Sequence, residues 1–225
     1  GIVNGINFSG GRLGAAFALP LVAWLLEIAG WRLTFLILGL VGILWGVIWY
    51  LWFRDNPEDH SGMSETEVNF IKNNTNKVDV NKQDGTIDFA KLFKSKQMWL
   101  LMGQYLASNF TFFFCLTWLF PHLRVKYNLD VMEAGLFASA PLICGALGNW
   151  FSGFLVDYIY KRNKWELSRK LPAIIGFALA SAGILASIYM NEVTPAIVCI
   201  SIAVFGADMT LSPSWSACVD VGKQF

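Results

Sequence analysis

Charged side chains are scarce in the long apolar segments of this chain, so each of them marks a place where chemistry could occur. Arg12 lies in the segment that opens the chain, between Gly10 and Gly14. A guanidinium in apolar surroundings can hold a carboxylate with two parallel hydrogen bonds, whereas near a membrane surface it can also reach out to polar headgroups. Both interpretations of Arg12 stay open. The two glycines predict the close approach of another helix.

Asp208 is an acidic side chain deep within the last apolar segment. A buried acid is protonated, in contact with water, or paired with a base on another helix. The sequence therefore supports two roles for Asp208, a proton-coupling or gating residue and one half of a structural ion pair. Pro213, shortly after it, predicts a bend because proline cannot donate a main-chain hydrogen bond.

A stripe of polar side chains follows the third apolar segment, which means that this face of the helix contacts protein or water and not lipid. We expect at least one of Gln104, Tyr105 and Asn109 to bind a substrate, and hydrogen bonding between helices is the alternative. The stripe is formed by Gln104, Ser108, Thr111, Cys115 and Trp118, at alternating spacings of four and three residues.

Two further polar residues lie on the fourth apolar segment. Asn149 stands among several glycines and is either a residue of a binding cavity or a hydrogen-bonding link between helices. Asp157 comes just before a basic loop, where it can pair with Arg162 or with the N-terminus of a neighbouring helix. Such a contact would hold one conformation closed, so we interpret Asp157 as a gating residue.

The sequence contains none of the common enzyme motifs, neither an HExxH zinc site, a phosphate-binding P-loop nor a GxGxxG loop. Its two histidines, His60 and His122, are far apart, and its four cysteines have no metal-binding spacing. We therefore expect no catalysis, metal or cofactor. The net charge of +1 offers nothing to attract nucleic acid.

The composition is that of a protein solvated by lipid. Of the 225 residues 55% are hydrophobic and only 15% are charged, and the mean hydropathy is +0.48; soluble domains carry about 25% charged residues. Apolar segments of about 20 residues in a bilayer must be helices, because only a helix satisfies its own backbone polar groups. We predict six spans, at 2–28, 33–53, 97–120, 134–158, 171–189 and 195–219.

Basic residues predict the orientation of these spans. The loop between the fourth and fifth spans is rich in lysine and arginine and is expected to be cytoplasmic, and alternation places the lysine-rich stretch 54–96 on the same side. Within that stretch, the sequence of 64–67 (SETE) predicts a capping box and a short amphipathic helix. Residues 73–85 have the composition of a flexible linker, and residues 91–94 could lie on the membrane surface.

Several motifs, taken in order, resemble helices five to ten of a twelve-helix transporter of the major facilitator superfamily, and within it the anion:cation symporter family. The motifs are 30–35 (GWRLTF) at the start of helix six, 53–60 (FRDNPEDH) at its end, Asn109 to Pro121 in helix seven, the loop motif 153–162, and 208–220 in helix ten. We accordingly expect the chain to be a piece of a longer protein.

The resemblance implies an all-α membrane bundle, with six spans of the twelve in this chain. Residues 1–53 would be the last two helices of the N-terminal bundle, 54–96 the cytoplasmic linker, and 97–225 the first four helices of the C-terminal bundle. It implies a plasma-membrane transporter of small organic anions, in many relatives coupled to protons, with alternating access by two rocking halves. Arg12, Gln104, Tyr105, Asn109 and Asn149 are then the candidate substrate-binding residues. A facilitator for another solute, such as a sugar or drug, and a membrane-embedded enzyme or scaffold are the alternatives.

Overall fold

The computed structural model of the chain describes residues 1–59, 62–74 and 93–222, and these residues are helical or lie in turns, with no β-strand among them. The predicted all-α fold class is confirmed, and five helical stretches in this part of the chain are long and apolar enough to cross a membrane. The helices are α1 (Ile2–Trp52), α2 (Glu65–Asn74), α3 (Lys96–Tyr127), α4 (Val131–Lys161), α5 (Trp165–Ile188), α6 (Val193–Met209) and α7 (Leu211–Gly222), with a 3-10 turn at Pro57–Asp59.

Helix α1 contains both of the first two spans predicted from the sequence. Its 51 residues would extend about 76 Å, more than twice the roughly 30 Å of a bilayer's hydrocarbon core. The helical backbone is interrupted at Gly30, whose φ of 70° lies in the left-handed region that glycine adopts without a steric cost. Gly30 lies inside the predicted connection 27–32. It therefore separates two segments that are each long enough to span the membrane.

The sixth predicted span is divided into α6 and α7 by a break at Thr210, three residues before Pro213. Proline has no amide hydrogen, so the carbonyl of Met209 loses the helical partner that residue 213 would provide. The hydroxyl of Ser152 on α4 donates to that carbonyl at 2.5 Å. A side chain from a neighbouring helix thus satisfies the backbone group that the proline leaves free, as lipid surroundings require.

Two helix boundaries correct the sequence prediction. α3 does not end before Pro121 but continues to Tyr127, where Asn128 terminates it with a φ of 52°. The extra turns bury Leu123 completely in an apolar cluster with α4 and α6, which outweighs the lost hydrogen bond. α4 begins at Val131 because Asp130 and Glu133 form a capping box. The predicted connection of 121–133 is therefore only a few residues long.

The described residues form two compact units. Among the described residues, the larger unit contains 1–24 and 93–222, and the smaller one contains 25–59 and 62–74. The predicted domain boundaries at 53 and 96 stay predictions. The predicted flexible linker lies outside the described residues from position 75 onwards, as do the first two residues of the predicted surface segment 91–94.

In the smaller unit, α2 starts with the capping box predicted at 64–67. The Ser64 hydroxyl accepts a hydrogen bond from the Glu67 amide at 3.3 Å, and the Glu67 carboxylate accepts one from the Ser64 amide at 3.1 Å. The bond from the Ser64 backbone, followed by one from its hydroxyl, lowers the pKa of Glu67 from its usual 4.5. Two of the orphan amide groups at the start of the helix are satisfied in this way.

In the larger unit, α4 and α5 pack along α6 through glycines. A Cβ atom added to Gly183 on α5 would lie 2.6 Å from the carbonyl oxygen of Cys199 and 2.7 Å from the amide nitrogen of Ala203. Both atoms belong to the α6 backbone and cannot turn aside. The two helices therefore approach so closely that only glycine fits.

Gly183→Ala is expected to lower the stability of the complete protein in detergent by about 1–3 kcal/mol, because α5 and α6 must separate to admit the methyl group. The measurement is thermal unfolding followed by circular dichroism. Gly135→Ala on α4 is the matched control, since an added Cβ there lies 3.5 Å from its nearest atoms, an ordinary van der Waals contact. An equal loss of stability in the two variants would contradict the close packing at Gly183.

Large apolar side chains cover the surface of both units. Val125 and Leu106 in the larger unit are 86% and 74% exposed, and Phe35 and Tyr50 in the smaller one are 70% and 81% exposed. Contiguous apolar surface of this extent is rare on soluble monomers. Lipid tails solvate such a surface without cost, so the exposed residues agree with the bilayer predicted from the composition.

Candidate functional site

The structure brings Arg12 and Asp208 together as an ion pair between α1 and α6. Arg12 Nε donates to Asp208 Oδ2 and Arg12 Nη2 donates to Asp208 Oδ1, both at 2.8 Å. The side chains are 12% and 1% exposed. A bidentate pair of this kind is among the strongest hydrogen-bonded contacts that proteins make. The sequence left two roles open for Asp208, and this structure shows it in an ion pair. The carboxylate that Arg12 holds here belongs to the protein itself, namely to Asp208.

Two neighbouring helices complete the surroundings of the pair. The ring of Phe112 on α3 lies against the guanidinium, whose central carbon is 3.3 Å from the ring centroid. Such a cation–π contact is stronger in a desolvated place than at an exposed one. On α4, Gly145 leaves the space that the Asp208 carboxylate occupies, since an added Cβ would overlap Asp208 Oδ2.

Three aromatic rings, on α1, α3 and α7, form a second layer. Phe8 on α1 lies 5.5 Å from Trp215 on α7, and Trp215 meets Tyr105 on α3 edge-on at 6.3 Å, centroid to centroid. Trp215 and Tyr105 are 43% and 41% exposed. Along α1 the aromatic layer is one turn from Arg12, a rise of about 6 Å. A buried charge and accessible aromatic surface thus occur on adjacent turns.

Two residues of the predicted polar stripe on α3 bind to the break between α6 and α7. The Gln104 amide donates to the hydroxyl of Ser214 at 2.7 Å. The buried Ser108 donates to the carbonyl oxygen of Ala207 at 3.2 Å and accepts from the Thr210 hydroxyl at 3.1 Å. Hydrogen bonding between helices, the alternative to a substrate contact, is what this structure shows for Gln104.

The other residues of that stripe lie elsewhere on α3. Thr111, Cys115 and Trp118 line a largely apolar groove of about 720 Å³ between α3, α5 and α6. The stripe is thus divided, with its first part facing α6 and α7 and its second part in the groove.

The two asparagines predicted to bind substrate make bonds within their own helices. Asn109 donates to the carbonyl oxygen of Tyr105 at 3.0 Å, and Asn149 donates to that of Gly145 at 3.2 Å. Asn149 is fully buried, and its Oδ1 has no hydrogen-bond partner among the described residues. A contact of either residue with a substrate stays a prediction.

Asp157 lies against α1. The amide of Ile2 donates to Asp157 Oδ2 at 2.8 Å. The predicted pairing of Asp157 with the N-terminus of a neighbouring helix stays a prediction. Arg162, the other predicted partner, lies against the ring and hydroxyl of Tyr158. Gly5 and Gly153 let α1 and α4 approach closely here, whereas Gly10 and Gly14 have no described atom within 4 Å of an added Cβ. A close approach of another helix at Gly10 and Gly14 is not seen among the described residues and stays a prediction.

No group of histidine, cysteine and acidic residues in the described ranges is arranged to hold a metal ion. The candidate site therefore consists of the ion pair, the aromatic layer and the contact of Asp157 with α1.

The sequence model of the Major Facilitator Superfamily matches residues 1–224 of the chain. The chain belongs to the Major Facilitator Superfamily. Its helices of spanning length and its apolar surface make it an integral membrane protein.

Similar curated members of the superfamily are bacterial. The chain is 33% identical over 217 residues to the probable galactarate/D-glucarate transporter GarP of Escherichia coli (strain K12), an alignment that covers 92% of this chain and 48% of that protein. It is 28% identical over 226 residues to the probable sulfoacetate transporter SauU of Cupriavidus necator, covering 100% and 52%. It is 28% identical over 221 residues to the D-galactonate transporter of Escherichia coli (strain CFT073), covering 94% and 50%. The chain spans about half the length of these relatives.

Sequence reasoning missed two residues around the ion pair, Phe112 and Gly145. Phe112 shares a helical face with Ser108 and Cys115, so its position could have been found from the spacing of the stripe. Trp215 is recognisable on the same helical face as Asp208, but its contact with Tyr105 is not. Gly145 is recognisable from the sequence only as a close-packing residue, because nothing in its surroundings indicates that a carboxylate occupies the place of its missing side chain.

Proposed function

We propose that the complete protein is a secondary transporter that moves small organic anions, namely sugar acids or related carboxylates, by alternating access and together with protons. It would act in the plasma membrane, which is the inner membrane in a bacterium. The observation that carries the proposal is a guanidinium, Arg12, inside a membrane span beside accessible aromatic rings. The names of the similar proteins, which refer to galactarate, D-glucarate, sulfoacetate and D-galactonate, support this substrate class.

The two layers of the site suit the two parts of such a substrate. Arg12 is the one charged donor that a carboxylate would meet among the described residues of the site, and a guanidinium matches carboxylate geometry. The faces of Tyr105 and Trp215 suit the C–H surface of a hydroxylated carbon chain, and the tyrosine hydroxyl adds a hydrogen-bonding group. A sugar acid bound with its carboxylate at Arg12 and its chain along the aromatic layer would use both.

The proposed domain division gives the contacts of α1 a role in the cycle. If residues 1–53 belong to one six-helix half and 97–225 to the other, the ion pair of Arg12 with Asp208 joins the two halves. Rocking of the halves would break and remake this pair. A gating role for Asp157, at the end of α4, is part of the same proposal.

The test is uptake by the complete protein in proteoliposomes. Labelled D-galactonate, D-glucarate and sulfoacetate are offered with an acidic exterior and, separately, without a pH gradient; galactitol serves as the uncharged control. We expect at least one anion to accumulate, faster with the gradient, and galactitol to stay at the level of protein-free vesicles. Transport of galactitol without any of the anions would favour a sugar facilitator instead, and uptake insensitive to the gradient would remove the coupling to protons.

A further inference from the structure

One side of α4 is a stripe of large apolar and aromatic side chains, each between 45% and 59% exposed. They recur every three or four residues, so they lie on one face of the helix. This apolar stripe consists of Leu147, Phe151, Phe154 and Tyr158. α4 instead meets α6 and α1 through Gly148 and Gly153. Because membrane helices pack against one another through small residues, the stripe of large residues is the side of α4 that faces lipid.

The apolar stripe ends at cations. The guanidinium carbon of Arg162, one turn after Tyr158, lies 4.4 Å from the centroid of the Tyr158 ring, and Nη2 donates to the Tyr158 hydroxyl. Tyr158 in turn stacks on Phe154, with 6.2 Å between the centroids. Lys161 and Lys164 flank the arginine, and all three cations are exposed. These contacts hold Arg162 where the apolar surface stops, and we call Lys161, Arg162 and Lys164 the basic turn.

The positive charge of the basic turn is largely unbalanced. Residues 157–170 contain five cations and two acids. Two of the cations are paired, Lys170 with Glu166 at 2.8 Å and Arg169 with Asp220 at 3.0 Å. The three cations of the basic turn make no salt bridge with an acid in the described ranges. This end of α4 therefore presents a net positive charge beside apolar surface.

One acid lies near the basic turn on the same helix. Asp157 is one turn before Lys161 and feels its charge, but the Asp157 carboxylate also accepts the amide of Ile2 on α1. Asp157 thus offsets part of the charge of Lys161 and leaves that of Arg162 and Lys164.

The length of the stripe suits one leaflet of a bilayer. From Phe151 to Arg162 the helix rises by about 16 Å, and half of a hydrocarbon core is about 15 Å thick. Trp165, which follows the basic turn, is 48% exposed, as is usual for a tryptophan at the level of the lipid headgroups. The basic turn therefore lies at headgroup depth, and the apolar stripe lies along the acyl chains of the same leaflet.

We propose that the apolar stripe and the basic turn together bind an anionic phospholipid of the leaflet that the sequence predicts to be cytoplasmic. The lipid phosphate would lie at Arg162, whose guanidinium matches phosphate geometry, with a lysine on either side. One acyl chain would follow Tyr158, Phe154 and Phe151 toward the middle of the bilayer. This site is separate from Arg12 and Asp208 and does not depend on the proposed transport function.

The experiment is native mass spectrometry of the complete, delipidated protein titrated with dioleoyl-phosphatidylglycerol and, separately, with dioleoyl-phosphatidylcholine. Since each cation near anionic lipid contributes about fivefold in affinity, we expect the wild type to bind phosphatidylglycerol at least about tenfold more tightly. The triple variant Lys161→Gln, Arg162→Gln, Lys164→Gln should bind both lipids with the same Kd. Arg124→Gln, which removes an exposed arginine near the other end of α4, should keep the preference of the wild type.

Two further arms identify the ligand. Phe154→Ala is expected to weaken the binding of both lipids by similar factors, because it removes an acyl-chain contact and no charge. Inorganic phosphate at the same concentrations should not displace phosphatidylglycerol, since it lacks the chains. Displacement by inorganic phosphate would mean that the basic turn binds free phosphate, and it would overturn the lipid site.

Other outcomes would overturn the proposal as well. Equal affinity of the wild type for the two lipids would show that the basic turn does not select an anionic headgroup. A triple variant that keeps the preference would place the lipid elsewhere on the protein. A loss of preference in Arg124→Gln as large as in the triple variant would make net charge the cause, and not the basic turn.

Discussion

Arg12→Gln is expected to abolish proton-driven uptake of sugar acids and to lower the stability of the folded protein by about 3–5 kcal/mol. The loss of stability arises because Asp208, 1% exposed, would be left as a buried acid without its partner. The loss of binding arises because two charge-assisted hydrogen bonds to the anion, each worth about 1.5–3 kcal/mol, disappear. Anion affinity should therefore fall about 100-fold or more, measured by calorimetry beside thermal unfolding in detergent.

The double variant Arg12→Gln with Asp208→Asn separates these two effects. The two side-chain amides can hydrogen-bond to each other without a net charge, so the stability should recover by most of the amount lost. Anion binding should not recover, because the guanidinium is still missing. Recovery of binding together with stability would mean that Arg12 acts only as a structural partner of Asp208.

Gly145→Ala is expected to have the second largest effect, since the new methyl group would overlap Asp208 Oδ2 and approach Val204 Cγ1 to 3.1 Å. The carboxylate must turn out of its bidentate contact, and the guanidinium then loses its orientation. We expect a loss of stability of at least about 1–3 kcal/mol from overpacking. Uptake should fall at least about tenfold, the equivalent of roughly 1.4 kcal/mol.

The control for Gly145→Ala is Gly135→Ala, which adds the same methyl group to the same helix. An added Cβ at Gly135 lies 3.5 Å from its nearest atoms, an ordinary van der Waals contact, and alanine favours a helix over glycine by about 1 kcal/mol. Unchanged or slightly higher stability is therefore expected there. If Gly145→Ala behaved in the same way, the carboxylate would have room that the structure does not show.

The fold is largely predictable because lipid simplifies the problem. Each apolar segment of sufficient length must be a helix, and glycine at position 30 marks a connection by its conformational freedom. Where the prediction is wrong, packing decides the outcome. Pro121 predicts a helix end, yet the helix continues past it to bury Leu123. The capping box of Asp130 and Glu133 is readable from the sequence, and it would have placed the start of α4 correctly.

The site is predictable residue by residue but not as an arrangement. Arg12 and Asp208 stand out because charges in apolar segments need a reason. Their contact joins positions 196 apart in the chain, and no local pattern reports such a distance. For Gln104, the same polarity that suggests a substrate contact is used to bind a neighbouring helix. Polar residues in a membrane helix thus reveal that they have partners, but not which partners.

The break between α6 and α7 has a mechanical consequence. The carbonyl of Met209 is already bound to Ser152 of another helix, and Pro213 has no amide to offer it. Tilting α7 about Thr210 therefore need not cost the main-chain bond that a continuous helix would lose at this turn. Asp208, on the α6 side, could keep its place while α7 swings as a lever that carries Trp215. Such a movement of α7 would open and close the aromatic layer while Asp208 stays in place.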